Sequence, residues 1–170
     1  MAKSSSSITE GRKMELESVK RYLEKGCQNA STKTTPFDGM PSRFLEPLIL
    51  NGLRVDLIEP GRVLCSMKIT PRLLNSGNSL HGGATATLVD LVGAAAIPSA
   101  GYSPNSGVSV EINVSYLDAV SVDEEIEIDA RALRVGKAVA VVSVELRKKK
   151  TGKIFAQGRH TKYLAVPSKM

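Results

Sequence analysis

Leu80-His81-Gly82-Gly83-Ala84-Thr85-Ala86-Thr87-Leu88-Val89-Asp90-Leu91-Val92-Gly93-Ala94-Ala95-Ala96-Ile97 is the stretch on which the fold turns. From Gly83 to Ile97 it carries one charge, Asp90, so it predicts a helix that the rest of the chain must cover on most sides. Pro98 is expected to stop it. A carboxylate buried in such a helix is unfavourable unless the fold supplies partners or the protein uses the charge. The residues around Asp90 on the helix, Ala86, Thr87, Gly93 and Ala94, are all small, which lets something approach it closely. His81-Gly82-Gly83 leads into the same helix, where unpaired backbone N–H groups make a place for developing negative charge. An acid and an oxyanion site on one helix point to catalysis.

Working outward, the chain after the helix reads as strands. Gly107-Val-Ser-Val-Glu-Ile-Asn-Val-Ser-Tyr116 is one run, and Glu125 to Val135 alternates with Ile126, Ile128, Ala130 and Ala132 on one face. Val139 to Arg147 follows a turn at Gly136-Lys137, and Lys153 to Leu164 follows Thr151-Gly152. Before the helix, Leu53 to Ile58 and Val63 to Ile69 read as two strands joined at Glu59-Pro60-Gly61. Met14 to Lys25 has the apolar spacing of a surface helix at Leu16, Val19 and Leu23, and a short helical segment near Ser42-Arg-Phe-Leu-Glu-Pro is interrupted by Pro47. The order predicts an α+β fold, an antiparallel sheet of about six strands curved round the single apolar helix. Three regions are expected: a leader and first helix over 1–36, a domain over 37–166, and a tail over 167–170.

Composition excludes several classes. The 170 residues suit one domain, and no apolar run is long enough to span a membrane. Met1-Ala-Lys-Ser-Ser-Ser-Ser lacks the hydrophobic centre of a secretory signal. Cys27 and Cys65 stand apart from any CxxC or His-rich partner, so neither a disulfide framework nor a metal site is expected. Net charge is +6, but residues 131–170 hold eleven Lys or Arg against Glu145 as their sole acid. A basic half suits an anionic partner. Only Phe155 and Tyr163 supply aromatic rings there, which favours a phosphorylated small molecule over nucleic acid.

Together, the element order, Asn75-Ser-Gly-Asn-Ser-Leu-His81-Gly82-Gly83, the Asp nine residues after the His, and Gly107-Val-Ser109-Val resemble the hotdog-fold acyl-CoA thioesterases. The likeness runs from about Leu53 to Leu164, through Gly152-Lys-Ile-Phe-Ala-Gln-Gly-Arg-His-Thr-Lys162. It implies hydrolysis of an acyl-CoA to free acid and CoA with no metal and no cofactor. By that resemblance Asp90 activates water as a general base or acts as a nucleophile, Ser109 holds the water, the Gly82 N–H polarises the thioester oxygen, and Asn75 and His81 flank the leaving sulfur. It also implies CoA contacts at Glu111, along Tyr116-Leu117-Asp118-Ala119-Val120-Ser121, along Arg134-Val135-Gly136-Lys137-Ala138-Val139, and at Arg159 and Tyr163. Glu111 and Tyr163 depart from the Asp and His more usual there. Arg147 to Lys150 reads as a solvated hairpin tip.

One step follows from geometry alone. Asp90 lies eight residues beyond Gly82, about 12 Å along one helix, so the two cannot serve the same carbonyl. If both act on it, one must come from a second subunit, making a two-fold dimer the smallest working unit; the resemblance adds a dimer of dimers. Rival readings are a hydratase or dehydratase of acyl thioesters and a non-catalytic acyl-CoA binding protein. A fatty acyl group is the first expectation and an aromatic one the second, within fatty-acid metabolism. Ser168-Lys169-Met170 is close to a peroxisomal Ser-Lys-Leu address, so peroxisome is expected, with cytoplasm the alternative.

Overall fold

A computed structural model describes residues 16–21, 43–102 and 107–164. The Ser-rich leader, Cys27 and Ser168-Lys169-Met170 lie outside them. Residues 16–21 form helix α1, with Val19 turned inward. Helix α2 covers Leu45–Leu50 and α3 covers Gly82–Ser99. The strands are β1 Arg54–Glu59, β2 Arg62–Lys68, β3 Val108–Tyr116, β4 Glu125–Val135, β5 Val139–Lys148 and β6 Ile154–Tyr163.

They make one antiparallel sheet in the order β1-β2-β4-β5-β6-β3, with β3 at an edge. Alternation decides which face is dry. Val63, Cys65 and Met67 of β2, Ile126, Ile128 and Ala130 of β4, and Ala140, Val142, Val144 and Leu146 of β5 are all buried, as are Leu88, Val89, Val92 and Ala96 of α3. The sheet curves round α3, and two glycines let the helix sit close. A Cβ on Gly158 of β6 would stand 2.7 Å from Val89 Cγ1, and one on Gly93 would meet His160 and Val144 at 3.2 Å.

Two proline readings change. Pro98 lies inside α3, which runs on to Ser99; a proline in the last turn removes one N–H but blocks no later turn. Pro47 does not interrupt α2, because it occupies the first turn, where backbone N–H groups have no helical acceptor anyway. Arg72 donates to the carbonyls of Leu48 and Asn51 and closes the other end of that helix.

Candidate active site

The N-terminus of α3 is built by His81. Its backbone is extended (φ −63°, ψ 132°) and its Nδ1 accepts from the Gly83 N–H at 2.8 Å. An accepting Nδ1 carries no proton, so the neutral ring presents Nε2–H outward. The cap takes the Gly83 N–H and leaves the Gly82 N–H without a partner among the described residues. Tyr116 fixes this corner from β3, its hydroxyl donating to the Gly82 carbonyl at 3.1 Å. Asn75 holds the preceding loop. Its Oδ1 accepts from the N–H groups of Gly77 (2.9 Å) and Ser79 (3.2 Å), and its Nδ2 donates to Ser79 Oγ.

Asp90 lies two turns further along α3, and the structure corrects its burial. Its side chain is 40% exposed, because the α3 stripe of Gly83, Ala86, Thr87, Asp90 and Ala94 is left partly uncovered by the sheet. Gly93, expected beside it, is buried against His160. Asp90 Oδ1 accepts from Ser109 Oγ at 3.1 Å and lies 3.3 Å from His160 Nε2, which is itself 2.9 Å from Ser109 Oγ. A bulge in β3 between Ser109 and Glu111 makes this possible. It shifts the inward set by one, so that Ser109 and then Ile112, Val114 and Tyr116 face α3, while Asn113 and Ser115 face the other side.

His160 was not singled out from the sequence. It is fully buried, and burial first of all pushes its pKa down, aided by Lys162 and opposed by Asp90. The neutral ring then has one proton to place. Nδ1 has no partner, whereas Nε2 faces two oxygens, so the proton sits on Nε2 and is donated towards Ser109 and Asp90. Ser109 Oγ in turn donates to Asp90. Polarity therefore runs from histidine through serine to carboxylate, and the free lone pairs of Asp90 are what the site offers a reactant. A serine nucleophile would need the opposite direction.

A cavity of about 400 Å³ opens beside these groups, lined by Asp90, Ser109 and Lys162 and by the apolar Leu91, Ala95 and Val108. A second groove, of about 360 Å³, lies between Asp90, Thr87 and Ala86 of α3 and Ile112, Val114 and Tyr116 of β3.

The residues expected to touch CoA fall into three groups, two of them at opposite ends of β3. Arg134 to Val139 form the end of β4 and its turn, and Val139 pairs with Tyr163, which pairs with Val108, so these lie at one end of β3. Tyr116 to Ser121 begin at its other end, about 26 Å away for an extended strand of that length. Arg159 and Glu111 are on the sheet face turned away from α3. The hairpin tip is not simply solvated: Lys148 reaches Asp118 (3.3 Å) and Glu124 (3.7 Å), and Lys149 reaches Glu125 (3.2 Å). Lys153 and Lys148 hold the Asp118 carboxyl down to about 2. Part of the basic half is thus neutralised by acids from upstream.

An antiparallel sheet wrapped round one central helix, with an acid on that helix, is the hotdog arrangement of thioester hydrolases. Residues 77–155 match the Thioesterase superfamily model. Human acyl-coenzyme A thioesterase 13 is 45% identical over 105 residues, covering 62% of this chain and 74% of the human protein. Zebra fish thioesterase superfamily member 2 superposes with a TM-score of 0.73 at 35% identity, over 88% of this chain and 98% of that one. The mouse member 2 structure gives 0.71 at 32%, over 88% and 97%. The chain belongs to the thioesterase superfamily, among the hotdog acyl-CoA thioesterases, and is a thioester hydrolase.

Proposed function

We propose that the protein hydrolyses acyl-CoA with water activated by Asp90, at sites shared between two copies of the chain. The observation that carries this is the bonding of Asp90: Ser109 and His160 fix Oδ1 and leave the carboxylate open to the cavity. Water held by Ser109 and Asp90 gives its proton to the carboxylate as its oxygen adds to the thioester carbonyl. The oxygen of that carbonyl takes the negative charge and accepts from the Gly82 N–H, a donor of a kind worth about 3 kcal/mol where removed elsewhere. Collapse breaks the C–S bond, and the thiolate leaves with a proton from Asp90 while the His81 Nε2–H stabilises the departing sulfur.

Gly82 and Asp90 belong to one straight helix, about 12 Å apart, so the two must come from different subunits. Three features support this. Edge strand β3 exposes Val108, Val110, Ile112 and Tyr116, and Leu117 just after it is exposed as well. The small-residue stripe of α3 lies beside it. The two groups of CoA residues, at opposite ends of β3 in one chain, come together when two β3 edges pair antiparallel about a two-fold axis. A dimer of dimers would need a further contact elsewhere, because the free edge of β3 is taken in this pairing.

The experiment mixes two variants. Gly82→Pro replaces the oxyanion donor by a ring carbon: Gly82 is the first helical residue, where proline is accepted, His81 already has the extended backbone a following proline requires, and a Cβ there meets Tyr116 at an ordinary 3.4 Å. Mixed by refolding with Asp90→Asn, half of the dimers are hybrids with one intact site each, so about a quarter of wild-type activity returns. Two folded, exchanged variants that stay inactive together contradict the shared site.

A further inference from the structure

Lys162 is used by nothing described so far, yet it is 7% exposed. It sits on the inner face of β6, two residues beyond His160, in register with Ser109 across the β3–β6 pair. Among the described residues its amine has no hydrogen-bond or ion-pair partner, and it lines the cavity that Asp90 and Ser109 share. The stem is covered while the amine itself opens onto the cavity, so whatever fills the cavity, water or ligand, must supply the acceptor for its donors.

The cavity says what kind of acceptor fits. Leu91, Ala94, Ala95, Pro98, Val108 and Val19 make its walls apolar, which suits a hydrocarbon chain. Asp90 and Glu46 already place two carboxylates on it, so a further anion is repelled, whereas an uncharged oxygen is not. Burial lowers the Lys162 pKa against the pull of Asp90, and in either protonation state the amine donates. Because Lys162 faces Ser109 directly across the strands, its reach is to the first few carbons beyond a carbonyl held at Asp90.

We propose that Lys162 is a specificity-determining residue that receives a hydroxyl or oxo oxygen near the thioester carbonyl, so that the site prefers 3-hydroxyacyl or 3-oxoacyl groups to plain alkyl ones of equal length. This rests on acyl-CoA hydrolysis at Asp90 and names the acyl class for that site. It also narrows the expectation of a fatty acyl group to one that carries an oxygen near the carbonyl.

The test compares 3-hydroxybutyryl-CoA with butyryl-CoA by thiol release, alongside binding of the non-hydrolysable thioether analogue of each. The wild type is expected to favour the hydroxy compound by about tenfold in both kcat/KM and affinity. In Lys162→Met that ratio falls to about one. A wild-type ratio near one, or one unchanged in the variant, overturns the proposal. Should neither thioester be cleaved while the binding ratio holds, acyl-CoA hydrolysis fails and the role of Lys162 stands. Should both be cleaved equally, the reverse follows. If Lys162→Met does not fold, the wild-type ratio still decides.

Discussion

Replacing His160 with leucine separates its chemistry from its packing. The imidazole is fully buried against Gly93, and leucine has nearly its volume, so the substitution opens no large cavity. What goes is the Nε2–H, at 2.9 Å from Ser109 and 3.3 Å from Asp90. A hydrogen bond into a charged network contributes about 1.5–3 kcal/mol. For stability, that loss is offset by removing Nδ1, a buried polar atom without a partner. For catalysis there is no offset: with no donor fixing Ser109 and Asp90, the water loses its aim. We expect kcat to fall roughly 10- to 100-fold, while the melting temperature moves by no more than about 5 °C. Thiol release and thermal unfolding on the same preparation give both numbers. A folded His160→Leu enzyme with kcat within about twofold of wild type would refute the reasoning.

Other outcomes follow from the same contacts. Gly158→Ala places a methyl 2.7 and 2.9 Å from the two Val89 methyls and 3.2 Å from the Asn113 carbonyl, so it should destabilise by about 1–3 kcal/mol, read as a lower denaturant midpoint. Because burial lowers the His160 pKa, the unfolded chain binds the proton first as pH falls below 6.5. Stability should therefore decline from that point until the folded-state pKa is passed, and His160→Leu should flatten this part of the pH profile. We propose Ser168-Lys169-Met170 as a peroxisomal address: a reporter ending in these residues should be imported, and a cytosolic reporter would count against it.

Much of the fold was legible because its signals are periodic. The buried alternation of β4 and β5 and the single apolar helix needed no tertiary information to read. What depends on register was not legible. The bulge after Ser109 decides which β3 side chains face α3, and nothing in Val-Ser-Val-Glu-Ile marks it. His160 was missed for the same reason, although a signal existed: Ala156, Gly158, His160 and Lys162 share the inward face of β6, and two titratable residues on a core face ask for an explanation. The burial of Asp90 was overestimated because the helix was read as covered on most sides with Asp90 among the covered residues, whereas the sheet leaves the stripe that carries it partly uncovered. Of the residues singled out, Asp90 and Ser109 meet in one hydrogen bond, His81 caps the helix beside Gly82, and Asn75 bonds within its own loop.

The central claim is that Asp90 takes the proton from the attacking water. Asp90→Asn tests it most directly. The amide keeps the Oδ1 that accepts from Ser109 and His160, so the fold should persist, but it cannot take a proton from water. Measured on its best acyl-CoA, the folded variant should lose roughly 10²–10⁴ in kcat with its CoA affinity retained. A folded Asp90→Asn enzyme that turns over at the wild-type rate would contradict the account.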